Sequence, residues 1–242
     1  MLEIRDLTAG YGSSEALDRV SLEVPDGELV AILGRNGMGK TSLCRSIMSL
    51  TPPGVRSGSI AYDGTELVGM PAHRIARVGL GYVPQGRHVF PSLGVVENLT
   101  IAARTGPESN GGSGSEPWTL DRIWEMFPRL KERRSNRAGQ LSGGEQQMLA
   151  IARALMTNPT LLIMDEPSEG LAPIIVEHVR EQLQRLKGSS LSMLLVEQNY
   201  KLAIDLADTA YILENGQVVF RGTAAELDGD EDLKRRCLGV GV

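Results

Sequence analysis

Eight residues constrain this chain more than any others: Gly34-Arg35-Asn36-Gly37-Met38-Gly39-Lys40-Thr41. They follow the apolar run Leu29-Val30-Ala31-Ile32-Leu33 and precede a helical pattern from Ser42 to Leu50. The match is to G-x-x-x-x-G-K-[ST], in the strand-then-helix setting that this pattern needs. Side chains at the glycines would keep the backbone from wrapping a polyphosphate. Bare N–H groups at a helix start carry about half a positive charge and point at the anion. Lys40 is placed to reach the terminal phosphates, and the Thr41 hydroxyl to hold Mg²⁺. A chance glycine-rich turn does not account for strand, loop and helix in this order.

The rest of the composition narrows the setting. A chain of 242 residues suits one large domain or a domain with a lobe. The net charge of −5 argues against general nucleic-acid binding, which needs clustered Lys and Arg. No apolar stretch approaches the roughly 18–20 residues that span a bilayer. The start, Met1-Leu2-Glu3-Ile4-Arg5-Asp6, has no secretory pattern, so a cytoplasmic protein is expected, with any membrane role through a partner. Cys44 and Cys237 lack metal-ligand spacing and read as two reduced thiols. His73, His88 and His178 are too isolated for a metal site.

Taken in order, Leu2 to Leu7 and Val20 to Val24 read as extended segments, the second closing at Pro25-Asp26-Gly27. Tyr11, between them, is either a nucleotide-base platform or an ordinary half-buried turn tyrosine. Ser59 to Tyr62 is a strand, Asp63-Gly64 a hairpin turn, and His73 to Arg77 a short helix. Gly81-Tyr82-Val83-Pro84 is a strand that ends at Gln85. Val95 to Ala103 and Leu120 to Phe127 are helices, separated by a Gly/Ser/Pro-rich surface loop over 106–117 with no chemistry assigned. The basic run Arg129 to Arg134 reads as a solvated face.

Two later stretches carry chemistry. Leu141-Ser142-Gly143-Gly144-Glu145 opens a helix whose Met148, Leu149, Ala152 and Leu155 recur at helical spacing. Ser142 and Glu145 have the spacing of a capping box. The paired glycines go beyond what a cap needs and suit a second anion-binding helix end. Asn158-Pro159 stops that helix, and Leu161-Leu162-Ile163-Met164 reads as a buried parallel strand closed by Asp165 and Glu166. Two carboxylates after such a run are costly unless paired or metal-bound. Asp165 fits a Mg²⁺-associated carboxylate, and Glu166 a base that polarises water. Beyond them, Pro173 to Leu186 is a helix, Leu191 to Val196 a buried strand ending at Glu197-Gln198-Asn199, and Tyr200 to Ala207 a helix. Ala210 to Leu213 and Gln217 to Phe220 form a closing hairpin, followed by short helices at 224–227 and 233–237.

Gly34 to Thr41, Gln85 after a strand, Leu141 to Glu145, and Leu161 to Glu166, in that order, resemble the ATP-binding subunit of an ABC transporter over essentially the whole chain. The resemblance implies an α/β fold: a P-loop NTPase-like nucleotide-binding domain with an N-terminal antiparallel β-subdomain and an inserted α-helical subdomain. It implies a catalytic core over 1–84 and 158–228, a helical lobe over 85–157 that touches transmembrane subunits, and a tail over 229–242. ATP and Mg²⁺ are the implied ligands. Arg35, Asn36, Met38 and Ser42 join the phosphate loop as nucleotide-binding residues, and Tyr11 takes the adenine. Two subunits pair head to tail, so that Ser142, Gly143 and Gly144 of one cover the γ-phosphate held by Lys40 of the other. Gln85 lies at the Mg²⁺ and at the joint to the membrane partner, and Gln198 lies at the γ-phosphate.

Asp165-Glu166-Pro167-Ser168-Glu169-Gly170-Leu171-Ala172-Pro173 and Val196-Glu197-Gln198-Asn199 resemble more narrowly the F-type ATPase of Liv-type branched-chain amino-acid importers. Phe127 to Arg133 and Glu145 to Ile151 fit that subgroup as well. Urea and short-amide importers share much of the pattern. An ABC ATPase acting on nucleic acid or ribosomes is the further alternative, although such proteins usually carry two cassettes or long coiled-coil insertions. The resemblance implies permease subunits, a second ATPase subunit (same or different), a solute-binding protein acting indirectly, no nucleic acid, and a peripheral place on the cytoplasmic face of the membrane. Most family members have His where Gln198 stands and Asp where Ala172 stands. A neutral Gln can hydrogen-bond a phosphate but cannot carry charge, so an asymmetric pair with a sister ATPase that carries the His is expected.

Overall fold

Alternation along three strands explains how the centre of the molecule is built. In a computed structural model, which describes residues 1–104 and 116–239, every residue of Leu29–Leu33, Leu161–Asp165 and Ser192–Glu197 is buried. Side chains leave a strand on opposite faces in turn. Leu29, Ala31, Leu33, Leu162, Met164, Met193 and Leu195 therefore enter one core. Val30, Ile32, Leu161, Ile163, Leu194 and Val196 enter another on the opposite face. Strands buried on both faces in this way read as unbroken apolar runs and pair in parallel.

The elements in chain order are β1 (Leu2–Tyr11), β2 (Ser14–Val24), β3 (Leu29–Leu33), α1 (Lys40–Ile47), β4 (Gly54–Tyr62), β5 (Thr65–Glu66), α2 (Ala72–Ile75), β6 (Leu80–Val83), α3 (Val95–Thr100), α4 (Leu120–Met126), α5 (Pro128–Glu132), α6 (Gly143–Leu155), β7 (Leu161–Asp165), α7 (Pro173–Lys187), β8 (Ser192–Glu197), α8 (Tyr200–Leu206), β9 (Thr209–Glu214), β10 (Gln217–Thr223), α9 (Ala224–Asp228) and α10 (Glu231–Leu233). An antiparallel sheet has the order β2-β1-β4-β5, and a second, mostly parallel sheet the order β10-β9-β3-β8-β7-β6. Together with the helices they form an α/β fold with an antiparallel subdomain beside a helix-flanked, mostly parallel sheet.

Register sets the site. Leu33 pairs with Glu197 across β3 and β8, and Asp165 pairs with Val196 across β7 and β8. The carboxyl ends of these strands finish side by side, where open α/β sheets place their ligands. α1 packs Leu43, Cys44 and Ile47 into the core shared with the antiparallel sheet. α6 and α7 close the other face, α7 with Val179, Leu183 and Leu186 at helical spacing.

Local details differ from the sequence reading. Tyr11 is the last residue of β1, opposite Ser14, rather than a turn residue. The helix expected to reach Ala103 ends at Thr100. Part of the basic run is helical: α5 starts at Pro128, whose ring suits a first helical position, and it buries Leu130. The last expected helix is split between α10 and a π turn over Lys234–Leu238. Residues 106–115 of the expected surface loop and 240–242 of the tail lie outside the described residues. No described helix is long and apolar enough to cross a membrane.

Candidate active site

The phosphate loop is braced from behind. A side chain at Gly34 would meet the Leu213 carbonyl at 2.5 Å. Gly39 has φ +103°, and a side chain there would meet the Ala16 carbonyl at 2.5 Å. Gly216 N donates to the Met38 carbonyl at 3.0 Å. The loop therefore sits between β2 and the β9–β10 turn and leaves Arg35, Asn36 and Gly37 exposed at its rim. Gly39 caps α1 with backbone alone, since no side chain accepts from the first N–H groups there. Those donors remain for an anion.

Lys40 is buried and fully engaged. Its Nζ donates to the Gly34 carbonyl at 2.7 Å and the Arg35 carbonyl at 2.9 Å, and pairs with Glu166 Oε1 at 2.9 Å. Thr41 Oγ1 donates to Asp165 Oδ1 at 3.2 Å, and the Tyr82 hydroxyl donates to Oδ2 at 3.3 Å. Asp165 is fully buried. Burial pushes its carboxyl from the ordinary 3.8 up to about 6, against the pull of the Thr41 hydroxyl, and the Glu166 charge adds to the rise. Burial also lifts the Tyr82 phenol far above its usual range, so it remains a donor.

Glu166 follows β7 with φ +48°, a left-handed conformation that costs a non-glycine residue on the order of 1 kcal/mol. Its N–H donates to the Val196 carbonyl at 2.8 Å, which holds the bend. Gln85 Nε2 donates to Glu166 Oε2 at 3.2 Å and to Glu169 Oε2 at 2.8 Å. The Tyr11 ring is 42% exposed, and its hydroxyl lies 3.3 Å from Ser42 Oγ, so an open aromatic face stands beside the start of α1.

Lys40, Thr41, Tyr11, Ser42, Gln85, Asp165 and Glu166 are thus brought together. Ser142, Gly143 and Gly144 make none of these contacts. Ser142 caps α6 reciprocally with Glu145, as its spacing predicts: Ser142 N donates to Glu145 Oε2 at 2.8 Å, and Glu145 N to Ser142 Oγ at 3.3 Å. The glycines face other neighbours, since a side chain at Gly143 would strike Arg87 Nη1 at 2.4 Å and one at Gly144 would strike Ile175 Cγ2 at 2.5 Å. Gln198 is exposed beyond β8, and its backbone N–H donates to Glu197 Oε2 at 3.1 Å.

Tyr82, Glu169 and Arg87 escaped the sequence reading. Arg87 Nη2 donates to the Gly170 carbonyl at 2.6 Å and the Glu169 carbonyl at 3.3 Å, tying the turn after Gln85 to the loop after Glu166. A tyrosine in the otherwise small and apolar strand Leu80–Val83 was the one signal available for Tyr82. No group of three or more His, Cys, Asp or Glu side chains able to hold a metal occurs among the described residues. Both cysteines are buried and unpaired, and burial raises the Cys44 thiol well above its ordinary value.

A buried cation, a hydrogen-bonded carboxylate and hydroxyl, and a second carboxylate meet at one place, chemistry that suits a polyphosphate. The family model described as ABC transporter matches residues 17–169, more than half of the chain. This chain belongs to the ABC transporter ATP-binding family. As an ABC cassette it binds and hydrolyses ATP. It is 44% identical to the high-affinity branched-chain amino acid transport ATP-binding protein BraG of Pseudomonas aeruginosa, over 99% of this chain and 100% of that one. It is 37% identical to the probable branched-chain amino acid transport ATP-binding protein LivF of Archaeoglobus fulgidus, over 99% of each. A dimeric bacterial ABC transporter cassette superposes with a TM-score of 0.75 at 25% identity, over 93% of this chain and 99% of that one.

Proposed function

We propose that this ABC cassette powers a membrane importer of branched-chain amino acids. In that assembly it sits peripherally on the cytoplasmic face, paired with a second ABC ATPase and docked on permease subunits that an extracytoplasmic solute-binding protein supplies. The full-length match to BraG carries the cargo reading. The pairing is supported by the separation of Ser142–Gly144 from the Lys40 cluster: a second polypeptide has to bring an equivalent Ser-Gly-Gly helix start over the γ-phosphate.

Each residue has a physical task in that reading. Gly34 to Gly39 wrap the phosphates with backbone N–H groups, and Tyr11 stacks on the adenine. Lys40 gives up Glu166 for the β- and γ-phosphates. The Thr41 hydroxyl, the Asp165 carboxylate and the Gln85 amide oxygen are hard oxygen donors that fit Mg²⁺. When bound, Mg²⁺ neutralises charge on the phosphates. Glu166, released from Lys40, accepts a proton from the attacking water and orients it. Gln198 hydrogen-bonds the γ-phosphate. Positioning and charge neutralisation are most of what phosphoryl transfer asks of a protein.

The lobe over 85–157 is the face that meets the permease. Phe90 and Ile101 are exposed on it, and a groove of about 220 Å³ lined by Met48, Leu80, Tyr82, Ala102, Ala150 and Arg153 opens beside them. The deciding experiment is reconstitution of the chain with its permeases and sister ATPase in proteoliposomes. ATP-dependent accumulation of leucine, isoleucine or valine is expected. Accumulation of urea or a short amide instead overturns the cargo, and ATP hydrolysis that no permease stimulates overturns the transport role.

A further inference from the structure

Glu197 is a buried carboxylate directly after the apolar run Met193-Leu194-Leu195-Val196. It ends β8, is 1% exposed, and stands beside Leu33 at the mouth of the phosphate loop. Both of its oxygens are used. Oε1 accepts from Ser168 N at 2.9 Å, and Oε2 accepts from Gln198 N and Asn199 N at 3.1 Å each. Burial raises this carboxyl, and the N–H donors pull it back. One side chain therefore joins two segments 29 residues apart: the loop that leaves Glu166, and the turn that carries Gln198.

We propose that Glu197 is a positioning residue whose buried carboxylate fixes Ser168 to Gln198 and Asn199, so that the Glu166 loop and Gln198 shift as one unit about the γ-phosphate. This rests on the reading of Glu166 and Gln198 given above and adds a residue that touches neither water nor phosphate. The chemistry asks for a carboxylate. It accepts at both oxygens and donates at neither, whereas an amide would turn an N–H toward backbone N–H groups on one side. A cap for α8 explains only the Asn199 end, because that helix already has the Asn199 side chain accepting from Leu202 N at 3.1 Å. The bond to Ser168 lies outside any helix and has no capping purpose.

The test compares Glu197→Gln, Gln198→Ala and the double variant in the full-length chain assembled with its sister ATPase, with Mg-ATP. Glu197→Gln is expected to lower kcat by about tenfold while the ATP dissociation constant stays within about twofold, since the phosphate loop is untouched. Gln198→Ala is expected to add no more than about twofold on top, because residues acting as a unit are not additive. Amide exchange at Ser168, Gln198 and Asn199 is expected to speed up together in Glu197→Gln. Unchanged turnover in Glu197→Gln, or effects that multiply in the double variant, overturns the strut. Gln198→Ala alone checks the reading beneath it: normal turnover there removes Gln198 from the mechanism, and the strut is then judged by Glu197→Gln alone. If Glu197→Gln does not fold, Glu197→Asp serves, because it keeps the charge but is one methylene short of spanning both segments. Full turnover in that variant counts against the strut just as firmly.

Discussion

Lys40 Nζ lies 2.9 Å from Glu166 Oε1, and these side chains are only 3% and 6% exposed. The cation that should hold phosphate and the carboxylate that should handle water satisfy each other. In the proposed mechanism, phosphate binding replaces this pair. Glu166→Gln removes one charge from it and leaves an amide that still accepts at its oxygen. Hydrogen bonds to charged groups contribute about 1.5–3 kcal/mol, so the weaker competitor should tighten ATP binding by roughly tenfold. The same variant should lose nearly all phosphate release. Titration with a fluorescent ATP analogue and a phosphate-release assay read the two effects separately. Unchanged affinity denies the competition, and normal release denies the base.

Asp165 presents the opposite balance of stability and function. Its carboxyl, raised to about 6 from 3.8, is held by the fold in a form that resists ionisation. A group with a raised folded value subtracts stability once it ionises. For Asp165 that loss is absent below about pH 4, grows between about pH 4 and 6, and is complete above. At neutral pH it amounts to at most about 3 kcal/mol. Asp165→Asn keeps an acceptor for Thr41 and discards the charge. The expected result is a higher melting temperature than the parent at pH 8, a difference that closes toward pH 4, and a loss of Mg²⁺-dependent hydrolysis. Melting curves across that range check the sign.

Gly144 is held by close packing. A methyl group there would lie 2.5 Å from Ile175 Cγ2, on the first turn of α7. Gly144→Ala must push α6 and α7 apart at their N-terminal ends, and overpacking of this kind costs about 1–3 kcal/mol. Adding Ile175→Ala removes the clashing atom. The double variant should recover most of the lost melting temperature. ATP turnover should recover with it if the glycine is needed only for room, and should stay low if the backbone at Gly144 must approach phosphate closely.

What could be read without coordinates was local or periodic. Leu29-Val30-Ala31-Ile32-Leu33 and Leu161-Leu162-Ile163-Met164 announce buried strands because both faces are apolar, and the Ser142 capping box needs only four residues. The phosphate loop was legible because its glycines, lysine and threonine lie within eight positions of one another. The hidden parts join residues far apart in the chain. Gln85 reaches Glu166 and Glu169, and Arg87 spans from Gly170 to Gly143, through contacts that no spacing encodes. α5 was missed because five residues starting at a proline are too few to show a period. The Lys40–Glu166 pair was missed for a different reason. The motifs point Lys40 at phosphate and Glu166 at water, and no spacing brings the two side chains together.

Tyr82 spans the groove proposed to meet the permease and the carboxylate proposed to hold Mg²⁺. Its ring lines the groove beside Met48 and Arg153, and its hydroxyl donates to Asp165 Oδ2 at 3.3 Å. Tyr82→Phe keeps the ring and deletes only the donor. The groove should be unaltered, so binding to the permease should not change. Asp165 loses one of its two fixing hydrogen bonds, and a net bond of this kind is worth about 0.5–1.5 kcal/mol. The concentration of Mg²⁺ needed for half-maximal hydrolysis should therefore rise by about two- to tenfold, while ATP binding measured without Mg²⁺ stays as in the parent. An unchanged Mg²⁺ requirement assigns Tyr82 to packing alone. A weakened permease interaction shows instead that the hydroxyl, and not only the ring, belongs to the docking face.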